Sequence, residues 1–125
     1  MNKVISSPKA PAAIGPYSQA INAGNTLYVS GQLPIDAATG EFASDDVTGQ
    51  AHQAFKNLGY ILEEAGFSFK DVVKTTVYLK DMADFGKMNE VYAQYFSAPF
   101  PARVAVQVAA LPKGALVEAD AIAVK

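Results

Sequence analysis

Arg103 is the only arginine of the chain, against nine lysines, and it opens an apolar alternating run, Pro101-Ala-Arg103-Val-Ala-Val-Gln-Val108. A guanidinium differs from an ammonium in its planar fork, which grips a carboxylate or phosphate through two parallel hydrogen bonds. Arg103 is therefore the first candidate for a ligand contact. A second run, Leu116-Val-Glu118-Ala-Asp120-Ala-Ile-Ala-Val124, carries two acids among small and branched apolar residues. A segment of that composition is expected to be buried, so its carboxylates need partners or a chemical purpose. Two uses stay open at this point. Arg103 can bind an anionic ligand beside a carboxylate that handles protons, or it can form a buried ion pair with Glu118 or Asp120, within the chain or across a subunit contact.

Composition narrows the chemistry. At 125 residues, half of them hydrophobic, the chain reads as one domain, residues 1–125, large enough to bury its own core. A formal net charge of -2 and scattered lysines give no electrostatic footprint for nucleic acid. The absence of cysteine removes disulfides and thiolate nucleophiles, and a single histidine, His52, offers no metal-ligand spacing. The expectation is therefore a protein without metal or cofactor. No segment reaches membrane-spanning length and the N-terminus has no apolar signal core, so a soluble, cytoplasmic chain is expected.

The elements that must position these residues follow from periodicity. Residues 2–5 and 18–22 read as short strands separated by the loop Pro8 to Pro16, and Asn22 to Asn25 turns the chain into a strand over 26–30. Pro34 to Gly40 reads as a loop. From Asp45 to Ala65 apolar residues recur on one face of a 3.6-residue period, ending at Gly66, which predicts the first helix. Branched residues over 71–80 predict a strand. Asp84 is placed to cap a second helix that runs to Phe96 with Phe85, Met88, Val91, Tyr92 and Tyr95 as its apolar stripe. Pro99 and Pro101 stop it. Two further strands flank Leu111-Pro-Lys-Gly114, whose turn chemistry suits an antiparallel hairpin. The order is β-β-β-α-β-α-β-β, an α+β arrangement in which both helices cover one face of a mixed sheet. The other face carries either Val104, Val106 and Val108 or Ala105, Gln107 and Ala109. Both sets are too apolar for water, which points to a homo-oligomer with packed sheet faces.

If the C-terminal hairpin pairs, Ala105 faces Asp120, Gln107 faces Glu118 and Arg103 faces Ile122, leaving Arg103 close to both acids. Tyr17, after Gly15-Pro16, is either a packed loop ring or a cleft hydroxyl. Gly31 in Ser30-Gly-Gln32 either admits a close backbone approach to a ligand or simply ends a strand. His52 reads as a solvated or helix-edge residue rather than a catalyst, Lys74 as a solvated edge residue with a Schiff-base role as its alternative, and the Met88 and Tyr92 stripe as core.

Several blocks together resemble the Rid family, also called YjgF-like, and within it the RidA type. They are Ala10-Pro-Ala-Ala-Ile-Gly-Pro-Tyr17-Ser-Gln-Ala20, Ser30-Gly-Gln32, Asp71-Val-Val-Lys-Thr-Thr-Val-Tyr-Leu-Lys-Asp81, Met88-Asn-Glu-Val-Tyr92, Phe100-Pro-Ala-Arg103 and Glu118-Ala-Asp-Ala-Ile-Ala123. The resemblance implies a chorismate-mutase-like fold and a homotrimer with its clefts between subunits. It also implies hydrolysis of short-lived enamines and imines, such as 2-aminoacrylate, 2-iminopropionate and 2-iminobutyrate, to 2-oxo acids and ammonia. On that resemblance Arg103 holds the substrate carboxylate, Glu118 positions and activates water, and Tyr17 lines the cleft. Gly31 and Asn89 are cleft-forming positions. Ala105 stands where many members have a cysteine, and the contact there is made by the backbone. Two other functions fit the same residues. One is a non-catalytic trimer, sensor-like or chaperone-like, that binds small carboxylates; the other is a pathway-specific deaminase with a different imine substrate.

Overall fold

Val117–Val124 alternates strictly, with Val117, Ala119, Ala121 and Ala123 buried and the residues between them partly exposed. In the computed structural model, which describes residues 2–125, this strand lies inside a six-stranded mixed sheet. The elements are β1 (Lys3–Ile5), β2 (Ala20–Ala23), β3 (Thr26–Gln32), β4 (Ile35–Asp36), β5 (Glu41–Phe42), α1 (Val47–Glu64), β6 (Val72–Leu79), α2 (Phe85–Tyr95), β7 (Ala102–Gln107) and β8 (Val117–Val124). The sheet order is β1-β2-β3-β8-β6-β7, antiparallel except for the parallel pair β6 and β7. Both helices lie on one side. Ala51, Phe55, Leu58, Ile61 and Leu62 of α1 and Met88, Val91 and Tyr92 of α2 share a core with the inward residues of β3, β6 and β8.

The element order matches the sequence expectation, with strand and helix ends within a few residues. Two details differ. The Pro34 to Gly40 stretch contributes to a two-stranded hairpin, β4 with β5, rather than being loop throughout. Asp84 makes no side-chain cap of α2; Asp81 instead accepts from the Ala83 amide at 2.9 Å in a short 3-10 turn ahead of the helix. At α1, Asp46 accepts from the Gly49 amide at 2.7 Å, and the Lys125 ammonium donates to the Gly66 carbonyl at 2.7 Å, tying the C-terminus to the helix end.

The expected C-terminal hairpin is not formed. β7 pairs in parallel with β6, and β8 runs between β3 and β6. The cause lies in the β6-α2-β7 unit: a helical crossover returns the chain parallel to the strand it left, which places β7 at the sheet edge. β8, whose inward side chains are all Ala or Val, then takes the position with neighbours on both sides. Consequently Arg103 pairs in register with Thr75, and Asp120 and Glu118 pair with Thr76 and Tyr78.

The face away from the helices is open and carries exposed apolar side chains beside Glu118, Asp120 and Tyr78. Tyr28 and Val104 are 51% and 43% exposed there, alongside Val106 and Ile122. Of the two alternatives for β7, Val104 and Val106 occupy this face, while Arg103 and Ala105 share the helix side with Thr75 and Val77.

The loop from Ser7 to Pro16 is held by one buried side chain. Gln19 accepts from the Ser7 amide at 2.7 Å and donates to the carbonyls of Ser7 and Pro11 at 3.2 and 2.9 Å. Gln19→Leu leaves those backbone groups without this partner. It is expected to destabilise the fold by about 1–3 kcal/mol in urea or thermal denaturation, with Gln19→Glu at low pH losing less than Leu.

Candidate active site

Arg103 sits at the start of an edge strand, where its side chain runs toward the N-terminal half of α2. Its Nη1 donates to Asn89 Oδ1 at 2.7 Å, and its guanidinium carbon lies 4.6 Å from the Tyr92 ring centroid and 5.4 Å from that of Phe85. Asn89, Tyr92, Ala93, Phe100, Pro101 and Arg103 line a cleft of about 410 Å³. A guanidinium carries five N–H donors, so one bond to Asn89 leaves most of the fork for a ligand. Among the described residues no carboxylate pairs with it, and the ion pair with Glu118 or Asp120 is not made within the chain.

Glu118 and Asp120 project from the opposite side of the sheet. Asp120 accepts a hydrogen bond from the Tyr78 hydroxyl at 3.0 Å. Glu118 lies over Gly31, and a side chain at that position would run into its carboxylate. Gly31 sits where the β3–β8 register shifts between Val29 and Gln32, so the bulge and the absent Cβ together make room for the acid. Burial, and next the nearby Asp120 charge, push the Glu118 carboxyl above the ordinary glutamate value. A carboxyl of that kind is a stronger base once ionised.

Tyr17 belongs to the Glu118 side. The Ser30 hydroxyl donates to the Ser18 carbonyl at 2.6 Å and the Ser30 amide to the Gln19 carbonyl at 2.9 Å, so the strand end preceding Gly31 holds the residue after Tyr17. The Tyr17 ring itself is exposed. Ala105 is partly buried on β7. Because the Val108 amide donates to the Leu79 carbonyl on β6, strand alternation turns the Ala105 amide and carbonyl toward the unpaired edge, available to a ligand or a neighbouring chain.

The candidate residues therefore fall into two separate groups. Arg103, Asn89 and the Ala105 backbone lie along the β7 edge, and Glu118, Gly31 and Tyr17 lie on and beside the open face. Sequence reasoning identified these residues by type and by resemblance, but it read Tyr92 only as core and passed over Thr75. Tyr92 is buried, yet its ring also carries the arginine, and its hydroxyl bonds that of Thr75 at 2.8 Å. His52 is a half-buried helix-edge residue whose Nδ1 lies 2.9 Å from the Tyr95 hydroxyl, a packing contact between α1 and α2. Lys74 is partly exposed on β6.

Gly31→Ala is expected to displace Glu118 or bend β3. The result would be a loss of at least about tenfold in kcat/KM, since misplacement of a reacting group by an ångström costs about 10², accompanied by roughly 1–3 kcal/mol of destabilisation. Steady-state kinetics and a melt on the same preparation check both.

The chain is similar to known proteins along nearly its whole length. Residues 7–125 match the family model described as Endoribonuclease L-PSP. The 2-iminobutanoate/2-iminopropanoate deaminase of Mus musculus is 56% identical over 125 residues, all of this chain and 93% of that protein. The crystal structure of RidA from an Antarctic Psychrobacter superposes with a TM-score of 0.95 at 50% identity, covering 98% of this chain and 99% of that one. E. coli TdcF with bound serine superposes with a TM-score of 0.94 at 44% identity, covering 98% of both chains. Full-length similarity of this depth, together with two helices on the same mixed sheet, places the chain in the Rid (YjgF-like) family, whose model bears the Endoribonuclease L-PSP description.

Proposed function

We propose that the protein hydrolyses reactive 2-imino acids and their enamine tautomers, with 2-iminopropionate and 2-iminobutyrate as substrates, to 2-oxo acids and ammonia. The observation that carries this reading is Arg103, which carries no ion pair among the described residues and is oriented at the edge of a cleft. It is supported by the name of the mouse relative and by the serine, itself an α-carboxylate, bound by TdcF.

Arg103 takes the substrate carboxylate through a bidentate contact, each charge-assisted bond contributing about 1.5–3 kcal/mol. That fixes the imine carbon. Ionised Glu118 accepts a proton from a water as its oxygen adds to that carbon, giving a carbinolamine. The imine enters protonated on nitrogen, so the carbinolamine is neutral; Glu118 returns its proton to that nitrogen, the C–N bond breaks, and the hydroxyl proton passes through Glu118 to the departing ammonia as the carbonyl of the 2-oxo acid forms. Imines hydrolyse in water unaided, so placement plus one base suffices, the latter worth about 10² to 10⁴ in rate.

In a single chain the clamp and the base lie on different sides of the sheet. The reading therefore requires a second copy, whose Glu118 face meets the Arg103 edge of the first. A head-to-tail contact of these two unlike surfaces is a heterologous interface, which forms a ring where its rotation closes. The family resemblance implies three copies, so the proposed assembly is a homotrimer with three intersubunit sites whose contacts cover the exposed apolar side chains. Light scattering at about three times the 13.2 kDa chain mass is the expected result.

A small-carboxylate sensor would need the arginine but not a carboxyl held above Gly31, which favours catalysis. RNA cleavage, which the family description names, is disfavoured by the net charge of -2 and the lack of a basic patch.

The direct test generates 2-iminopropionate in place with an amino-acid oxidase and traps it with semicarbazide. Wild type is expected to divert the imine from the trap and Arg103→Ala not to. No diversion by wild type would overturn the proposal.

A further inference from the structure

A side chain as long as Arg103 has many rotamers, so groups that contact its guanidinium restrict its orientation. Three groups do this. Asn89 accepts from one nitrogen at 2.7 Å, Phe85 lies to one side at 5.4 Å, and the Tyr92 ring lies under the guanidinium carbon at 4.6 Å. Phe85 and Asn89 are on the accessible side of α2, whereas Tyr92 is buried, stacked on Phe96 at 4.4 Å and 27°, and tied through its hydroxyl to Thr75 at 2.8 Å. Thr75 is itself fully buried and pairs in register with Arg103 on the next strand.

We infer that Tyr92, anchored by Thr75, is a positioning residue that sets the plane of the Arg103 guanidinium for carboxylate binding. The inference rests on the clamp reading above. Packing alone asks for no hydroxyl at either position: Phe55, Phe69 and Phe96 fill the neighbouring aromatic core as plain rings, and valine would suit a buried strand site at 75. A hydrogen bond between the two buried hydroxyls instead pins the far end of the ring, while stacking on Phe96 sets its plane, and with it the π face on which the cation rests. Burial pushes the Tyr92 phenol up, so it remains a neutral hydroxyl bonded to Thr75 across the working pH range. The strand pairing links this anchor to the arginine by the shortest route, because Thr75 and Arg103 share a rung.

The chain's single arginine makes the test direct, since its Nε–Hε group gives one NMR signal of that kind. In the ligand-free native assembly this group is expected to have an order parameter like rigid backbone, about 0.8 or above, and a value below about 0.6 would overturn the inference without any variant. Binding supplies the second readout, with 2-oxobutyrate and its neutral amide, 2-oxobutanamide, as probes. Tyr92→Leu is expected to weaken the acid by about 3- to 30-fold, the range of a cation–π contact, while leaving the amide within about twofold. Tyr92→Phe, which keeps the ring and loses the anchor, is expected to fall between wild type and Leu, and Thr75→Val to match Phe. Equal weakening of acid and amide would mark a merely structural role and overturn the inference. Arg103→Ala separates the two levels: if it binds 2-oxobutyrate like wild type, the clamp itself fails; if it loses the acid while folded Tyr92→Leu keeps it, only the positioning role fails.

Discussion

Arg103→Lys is expected to lower kcat/KM for 2-iminopropionate by about 30- to 10³-fold while the fold and the assembly persist. An ammonium keeps the charge but cannot make two parallel bonds to one carboxylate, and it stacks less well on Tyr92 and Phe85. Losing one charge-assisted hydrogen bond and part of a cation–π contact amounts to about 2–4 kcal/mol, which is the stated range. Because the carboxylate is bound in both the ground and the transition state, most of the change is expected in KM. Stability is expected to change little, since within the chain the guanidinium makes one hydrogen bond, to exposed Asn89, and no ion pair among the described residues. A lysine variant with wild-type kinetics would refute the clamp. One that falls apart into monomers would point to an intersubunit ion pair instead.

The choice between those outcomes was not legible in the sequence, and the reason is topological. Residue types alone marked Arg103, Glu118 and Asp120, because a lone arginine and two acids stand out in apolar strands. Their mutual placement depended on which strand β7 joins. The Leu111 to Gly114 turn chemistry is local and argues for a hairpin, whereas the β6-α2-β7 order argues for a parallel crossover, and the crossover prevails. Moving β7 from beside β8 to beside β6 separates Arg103 from both acids, which then share a face with Tyr78 rather than with the guanidinium.

Other features were legible to different depths for equally physical reasons. The two helices follow from a 3.6-residue period that a core-facing stripe must have, and α1 and α2 lie within about two residues of the expected ends. Gly31 could be read as a close approach, but not as an approach to Glu118, because β3 and β8 are distant in sequence and their register shifts at a bulge. Tyr92 reads as core because a buried ring at helical spacing looks the same whether or not a cation rests on its face. Its hydroxyl was the only sequence signal of a further role. The open face was legible as a surplus of apolar alternation, and the second copy proposed to cover it would let Arg103 and Glu118, on different sides of one chain, serve one substrate.

Glu118→Gln is expected to change activity and stability in opposite directions. In the proposed mechanism Glu118 accepts a proton from water, a role worth about 10² to 10⁴ in rate, so kcat is expected to fall by that factor, with binding of a 2-oxo acid affected much less. Burial first, and the Asp120 charge second, hold the carboxyl above its ordinary value in the folded state. The acidic limb of the kcat/KM profile is therefore expected above the normal glutamate range, with activity lost as pH falls through the raised value. For stability, a carboxyl whose folded pKa is raised favours folding where it is protonated in both states, below the unfolded value. That contribution is lost as pH rises through the folded value. At pH 7 the wild type carries the cost of a desolvated charge that the neutral glutamine lacks, so Glu118→Gln is expected to melt higher than wild type, and the gap to close as pH falls below the ordinary carboxylate range. A glutamine variant with wild-type kcat would remove Glu118 from the chemistry. A variant that melts lower at pH 7, with no narrowing on acidification, would mean that in the assembled protein the carboxylate is held by a partner strong enough to outweigh its burial.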